Sequence, residues 1–280
     1  MKAFGCEYGY RSDLGRWRRM FVRVFGVVDL HSRIRARAVL WALQDICSDR
    51  VLDIGTGTGV YPFYLTRDTK SRVLALDIDA SRIAMVRYIA DRLSRHNLST
   101  VCDDEHALAT MPAEEFSVVL AVEVLQYFPH LSRTLRDLQE RLRSGGVLIA
   151  HVPVREALLP YEHTLFNDAM LSKLFLEAGF DPPEIRQTCG RFSQALCAVF
   201  AWCAPRHVLL AVLYPLLLLA TVLTPRFTQN GGYRLVIARK SKKNLVFRPT
   251  PRSGGVHTDK ELGPGQRELP RLDERTLLHA

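Results

Sequence analysis

The segment Asp53-Ile54-Gly55-Thr56-Gly57-Thr58-Gly59 has the residue types and spacing of a loop that brings the backbone close to a bound ligand. Glycine accepts positive φ angles and has no Cβ to collide with a ligand, so such a loop can turn sharply beside it. The spacing differs from the Gly-x-Gly-x-x-Gly of dinucleotide-binding proteins, which argues against a pyrophosphate ligand. Taken alone, the loop is also compatible with an ordinary strand-to-helix turn.

A second carboxylate follows about twenty residues later, at the end of the apolar run Arg72–Asp77. A carboxylate at the end of a strand can accept hydrogen bonds from both hydroxyls of a ribose. We therefore expect Asp77 to bind a ribose and Ile78 to lie against the attached base. Asp79 points to the same side of the strand, but it precedes Ala80-Ser81-Arg82, which favours a helix N-cap.

In this order, the motifs resemble those of the class I S-adenosylmethionine (SAM) dependent methyltransferases. The family's first motif has the form acid-x-Gly-x-Gly-x-Gly and carries the methionine end of SAM. The resemblance therefore implies SAM as the cofactor. It also implies methionine contacts for five residues of the loop, namely Asp53, Gly55, Thr56, Gly57 and Gly59.

The third and fourth apolar runs extend the resemblance. The third ends at Asp103-Asp104, where the family has an acid near the adenine amino group. Asp103 fits that place better than Asp104, although solvated loop acids are the alternative. The fourth run resembles the family's motif beside the transferred methyl group, which implies cofactor contacts for Val122 and Glu123.

Candidate catalytic residues come from two places. Tyr127 stands where the family commonly has a His, which excludes a histidine role at that point and leaves a phenol there. The other candidates are His151, at the end of the fifth apolar run, and His163, in the loop after it. Methyl transfer to a phenol or enol needs a base within hydrogen-bond reach, and His163 is the first choice. A structural role in a loop is the alternative for His163, and a satisfied core position is the alternative for His151.

The chain as a whole predicts an α/β fold, a seven-stranded and mostly parallel sheet with helices on both faces. In the family, the last strand is antiparallel and lies between the fifth and sixth, and the resemblance implies the same here. The resemblance covers residues 47–190 and 233–239 and includes a Gly145-Gly146 turn before the fifth strand. The predicted strands are 51–54, 72–77, 100–103, 117–122, 147–152, 184–188 and 233–239.

The charge of the chain is concentrated in its flanks. Residues 1–50 carry 10 basic and 5 acidic side chains, residues 51–238 carry 18 and 19, and residues 239–280 carry 10 and 5. This distribution suits anionic lipid headgroups better than a continuous nucleic-acid track. We expect basic N-terminal cap helices over 1–46, the methyltransferase domain over 47–240 and a disordered tail over 241–280.

An apolar insertion separates the sixth and seventh strands. Ser193–Pro205 and Val208–Pro225 contain no charged residue. A helix of about 17 residues would reach about 26 Å, short of a typical hydrocarbon core, and the first segment would reach less. A single crossing would also put the last strand on the wrong side of the membrane. We therefore expect residues 193–225 to lie in one leaflet, with a lid or a dimer interface as the alternative.

The expected function is methylation of a lipophilic small molecule, such as a quinone, a polyprenyl compound or a polyketide-like lipid, at the inner face of a membrane. The alternative is a SAM-binding, membrane-tethered protein that has lost catalysis. No Asn-Pro-Pro-Tyr-type motif follows the fourth strand, which disfavours methylation of nucleic acid bases. The six cysteines form no CxxC pair, and no cluster has metal-ligand spacing, so we expect a cytoplasmic protein without a metal.

Overall fold

The computed structural model describes residues 3–27, 29–154, 166–203 and 207–242. Its centre is a seven-stranded sheet in the order β3-β2-β1-β4-β5-β7-β6. Strands β1 to β5 run parallel, and β7 pairs antiparallel with both β5 and β6, as predicted. The strands are β1 Arg50–Ile54, β2 Arg72–Asp77, β3 Leu98–Cys102, β4 Phe116–Val122, β5 Leu142–Pro153, β6 Glu184–Thr188 and β7 Tyr233–Arg239.

All seven strands therefore lie where the sequence predicts them, with shifts at some ends. The largest shift is at the start of β5, which begins at Leu142 rather than at residue 147. At the site, β3 was predicted to include Asp103 and instead ends at Cys102. Asp103 is the first residue of the following loop, and its backbone N–H donates to the carbonyl of Asp77. This bond continues the strand pairing by one step without making Asp103 part of the strand.

Helices cover both faces of the sheet, because β1 and β4 carry buried apolar side chains on each side. Ser117 lies near the start of β4, and its hydroxyl accepts from the N–H of Arg50 and donates to the carbonyl of Arg50. The α-helices of the described residues are α1 Arg16–Phe25, α2 Leu30–Leu43, α3 Val60–Leu65, α4 Ala80–Arg92, α5 Ala107–Thr110, α6 Leu131–Arg141, α7 Asp168–Glu177, α8 Arg191–Cys203 and α9 His207–Leu223.

The N-terminal segment packs onto the parallel half of the sheet and the loop after β1. A 3₁₀ helix over Cys6–Tyr10 buries Glu7, whose carboxylate receives a hydrogen bond from Arg67 Nε at 2.8 Å. The Tyr8 hydroxyl bonds the hydroxyl of Thr58, inside the glycine loop. Residues before 47 thus contact the loop directly, and the division into a cap and a domain remains a prediction.

The apolar insertion forms α8 and α9, and the chain then returns to the sheet as β7. Tyr214 of α9 is buried, and its ring packs at 5.3 Å from Phe21 of α1 and at 6.5 Å from Phe200 of α8. The three helices are therefore joined around one aromatic side chain. Whether they meet a bilayer stays a prediction.

Candidate active site

A cavity of about 440 Å³ opens at the carboxyl ends of β1, β2 and β4. The order of the sheet reverses between β1 and β4, and ligands of open α/β sheets bind in the crevice at such a reversal. Seven of the predicted site residues line this cavity: Gly55, Asp77, Ile78, Asp103, Asp104, Glu123 and Tyr127. Arg82 and Phe128 also line it, and no motif in the sequence indicates either residue.

The glycine loop has the backbone that its sequence predicts. Gly55, Gly57 and Gly59 have φ angles of 66°, 55° and 78°, a region that other residues rarely adopt. A Cβ on Gly55 would lie 2.3 Å from Cγ2 of Val124, so a side chain would displace the wall of the cavity. Gly57 and Gly59 support the loop without lining the cavity.

Asp53 lies beneath the loop and is 2% exposed. The Thr56 hydroxyl donates to its Oδ2 at 2.6 Å. Burial raises the pKa of the Asp53 carboxyl to about 7, and the charge of Asp77 adds to the effect, while the Thr56 bond and Arg35 oppose it. The buried Asp53 carboxyl is therefore partly protonated at neutral pH. A nearby positive charge would favour its ionised form, so this position suits a cationic group.

Asp77 closes the other side of the cavity. Its carboxylate accepts from the Gly57 N–H at 2.6 Å and from the Asp79 N–H at 2.9 Å. A carboxylate has about four acceptor sites, so these two bonds leave capacity for hydroxyl groups of a ligand. Asp79 accepts from the Ser81 N–H at 2.9 Å, which confirms it as the N-cap of α4.

Ile78 is 74% exposed although it is a large apolar side chain at the cavity wall. The folded protein gains nothing from that exposure, whereas a flat aromatic ligand would cover it. Across the cavity, Asp103 accepts from the Asp104 N–H at 2.9 Å, and Asp104 accepts from the His106 N–H at 2.8 Å. These bonds fix the loop in which both acids lie.

Glu123, directly after β4, has a positive φ of 56°. Its carboxylate accepts from His31 Nε2 at 2.9 Å and forms an ion pair with Arg35. Burial would raise the pKa of the Glu123 carboxyl, but Arg35 and the two neighbouring histidines, His151 and His31, outweigh it and hold the pKa well below its usual range. Glu123 is therefore a fixed negative charge at the cavity wall.

The three catalytic candidates have different places. Tyr127 ends a 3₁₀ helix over Leu125–Tyr127 and is half-exposed at the cavity. His151 is buried within β5, where its Nε2 bonds the Thr188 hydroxyl at 2.9 Å and its Nδ1 lies 3.5 Å from Glu123. Val122 pairs with His151 in the sheet and lies beside the cavity rather than in its wall. His163 lies outside the described residues.

No motif in the sequence indicates His31 and Arg35, which contact Glu123 from α2. Their spacing of four residues places both on one face of the helix. The sequence does show that these two side chains share a helix face with Ile34, which is buried. A basic pair on a buried face indicates an acidic partner. Nothing in the sequence showed which acid, 92 residues from His31 along the chain, would receive them.

Comparisons with known proteins agree with this fold. A family model described as "Methyltransferase domain" matches residues 17–185. The malonyl-[acyl-carrier protein] O-methyltransferase of Acetivibrio thermocellus is 30% identical over 118 residues, which are 40% of each chain. Phthiotriol/phenolphthiotriol dimycocerosates methyltransferase 1 of Mycobacterium ulcerans is 32% identical over 108 residues, 38% of each chain. The matched part thus spans about two fifths of these relatives.

Solved structures share the fold at low sequence identity. The [4+2]-cyclase SpnF has a TM-score of 0.57 and 20% identity over 74% of this chain and 80% of its own. Phosphoethanolamine N-methyltransferase 2 of Haemonchus contortus, in complex with phosphomonomethylethanolamine and S-adenosylhomocysteine, has a TM-score of 0.57 and 15% identity over 82% and 61%. Since one of the two is a cyclase, the fold by itself does not decide the reaction.

Proposed function

Because the chain belongs to the class I SAM-dependent methyltransferase family, we propose that it transfers a methyl group from SAM to a lipophilic small molecule at a membrane surface. The observation that carries the proposal is the cavity at the sheet reversal. A glycine loop, a ribose-type carboxylate and an uncovered apolar side chain all meet there. SAM supplies an electrophilic methyl group, and the protein has to position the acceptor and exclude water.

A different residue is proposed to bind each portion of SAM. In the proposal, Asp77 accepts hydrogen bonds from the ribose and Ile78 covers the adenine, with Asp103 near its amino group. The methionine end lies at the glycine loop, where buried Asp53 offers a counter-charge for the ammonium group. Glu123 lines the same cavity. Its hydrogen bond to His31 and its ion pair with Arg35 fix the position of its carboxylate.

A lipophilic acceptor is supported by the apolar insertion and by the relatives. Val212, Leu216, Leu219 and Leu223 lie on one side of α9 at spacings of three and four residues, and all four are exposed. An exposed stripe of this length is unusual on a monomeric soluble protein and marks an interaction surface. The named relatives act on an acyl-carrier-protein substrate and on a lipid, which makes lipid-related methylation the preferred class.

A membrane is the proposed partner of this surface because basic residues lie beside it. Trp17, Met20 and Val24 form a second exposed stripe on α1, and exposed arginines flank the stripes: Arg16, Arg18, Arg23, Arg191 and Arg226. Helices α1, α8 and α9 contain no acidic residue. Apolar side chains beside arginines suit the boundary between acyl chains and anionic headgroups.

Within the described ranges, no helix has the length and apolar character needed to span a bilayer. The position of β7 between β5 and β6 also requires the chain to return after α9 to the side from which α8 began. The proposed mode of attachment is therefore insertion of α8 and α9 into one leaflet.

The catalytic proposal is tested by titrating SAM into the purified protein and by measuring S-adenosylhomocysteine release with membrane lipid extract. We expect heat of binding and release of product. Binding without release would favour the alternative, a SAM-binding protein that has lost catalysis. Absence of both would refute the assignment of the cavity.

The membrane proposal is tested by sedimentation with vesicles of phosphatidylcholine and phosphatidylglycerol. Replacing Leu216 and Leu219 by Ser removes about 3 kcal/mol of apolar burial, which corresponds to about 100-fold weaker binding. Leu176→Ser on α7 is the matched control, since Leu176 is an exposed leucine outside the three helices. Equal sedimentation of the double variant and the control would contradict membrane binding through α9.

A further inference from the structure

A second cavity, of about 480 Å³, lies between the N-terminal segment and α9, and the proposed function gives it no role. Its volume is within the range of pockets that bind small molecules. Most of its walls are apolar or aromatic side chains: Leu14, Phe21, Val22, Val27, Leu210 and Tyr214. Such walls suit a hydrocarbon chain, which gains free energy for each methylene group that it removes from water.

The remaining walls of this cavity carry charges of both signs. They consist of Arg11, Arg18, Asp29 and the phenol of Tyr8. The Nε of Arg11 donates to Asp13 at 2.9 Å, so a carboxylate already compensates the charge of Arg11. Asp29 is the N-cap of α2 and accepts from the Ser32 N–H at 2.7 Å. The helix dipole offsets part of the negative charge of Asp29 at that position.

Arg18 is therefore the cation of this cavity that a ligand can engage. It is exposed, and the described residues give its guanidinium no hydrogen bond and no ion pair. Asp13 acts on Arg18 from a distance, but its carboxylate is bound by Arg11. A guanidinium presents several N–H donors in a planar fork that matches the oxygens of a phosphate group.

We infer that this cavity binds one phosphate-headed lipid, with an acyl chain among the apolar walls and the phosphate at Arg18. The inference rests on the proposed membrane attachment and names the lipid chemistry for it. Phe21 lines the cavity and lies four residues after Trp17 and three before Val24, so it is their neighbour on the surface of α1. The cavity therefore borders the exposed stripe that we propose to contact the membrane.

Tyr8 connects this cavity to the glycine loop. Its side chain lines the cavity, and its hydroxyl bonds the hydroxyl of Thr58 within the loop. The lipid is not the methyl acceptor in this inference, because its cavity and the cofactor cavity share no lining residue. Its role is to hold the protein on the membrane with the glycine loop close to the headgroups.

The test uses three probes that dissolve without a bilayer, namely octyl phosphate, octanol and inorganic phosphate, each titrated into the full chain by calorimetry. We expect octyl phosphate to bind at least about 10-fold more tightly than octanol, because its phosphate adds charge-assisted hydrogen bonds to the burial of the same chain. It should also bind at least about 10-fold more tightly than inorganic phosphate, because its eight carbons bury apolar surface.

Two variants separate the headgroup from the chain. Arg18→Gln should lower the preference for octyl phosphate over octanol at least about 3-fold and leave octanol binding unchanged. Arg16→Gln is the matched control, because Arg16 is an exposed arginine of the same helix that does not line the cavity. Leu14→Trp places a larger side chain at the half-buried position before α1 and should weaken the binding of both eight-carbon probes.

Equal affinity of the wild-type protein for octyl phosphate and octanol would overturn the inference. So would equal affinity for octyl phosphate and inorganic phosphate, an unchanged preference in Arg18→Gln, or the same loss in Arg16→Gln. The wild-type titrations need no variant, so they stand even if a substitution prevents folding. Because the probes are free in solution, this test is separate from vesicle sedimentation. Sedimentation through α9 without a preference for octyl phosphate would refute the lipid site and leave the membrane proposal intact.

Discussion

The buried acid of the glycine loop should reduce the stability of the SAM-free protein at neutral pH. Burial raises the pKa of Asp53 from 3.8 to about 7. Between these values, the folded state holds a proton that the unfolded state has lost. The free energy of unfolding therefore falls as the pH rises from about 4 to about 7 and is level above that range. At pH 8 the raised pKa of Asp53 lowers the free energy of unfolding by about 4 kcal/mol.

Asp53→Asn removes this effect and keeps an acceptor for the Thr56 hydroxyl, which donates to Asp53 at 2.6 Å. The bond becomes weaker because it is no longer charge-assisted, at a cost of about 1 to 2 kcal/mol. A gain of about 2 to 3 kcal/mol remains at pH 8, or about 5 to 10 °C in Tm for a domain of this size. At pH 5 most of this gain disappears, because the wild-type carboxyl is then protonated.

Thermal unfolding of the two proteins between pH 5 and pH 8, without SAM, measures this gain directly. Asp91→Asn is the control, since Asp91 is exposed on α4 and carries the same substitution outside the site. SAM titration at pH 8 supplies the functional counterpart, in which Asp53→Asn binds about 10-fold less tightly because the ammonium group loses its counter-charge. A variant that is destabilised equally at pH 5 and pH 8 would refute the reasoning.

Three further predictions test other parts of the structure. Ile78→Ala leaves the SAM-free Tm within about 1 °C, because Ile78 is exposed, but weakens SAM binding about 10-fold by calorimetry. Arg67→Ala leaves the buried carboxylate of Glu7 without its nearest cation and lowers the free energy of unfolding in urea by about 3 kcal/mol; an unchanged midpoint would contradict this ion pair. Glu123→Gln lowers the pKa of His31 towards its ordinary value in an NMR titration, and an unshifted His31 would show that Glu123 does not hold it.

The amino-acid sequence by itself determined the strands, the N-cap at Asp79 and the glycine loop. These are local properties, because apolar periodicity selects a strand or a helix and only glycine adopts positive φ without strain. Gly55 shows this agreement most clearly, since its φ of 66° is the positive value that the glycine motif predicts. The end of β3 was misplaced by one residue because an acid at a strand end has no local signal that separates strand from loop.

Only the tertiary structure decided which charged side chains meet at the site. His31 and Glu123 are 92 residues apart in the chain and bond at 2.9 Å. The sequence around either residue does not indicate the other as its partner, and Glu123 was predicted only as a cofactor contact. The protonation of a buried group depends on neighbours that other elements bring to it, here α2, β5 and the ends of β4 and β6. For this reason the sequence predicts where a ligand binds, whereas packing decides which charged side chains surround it.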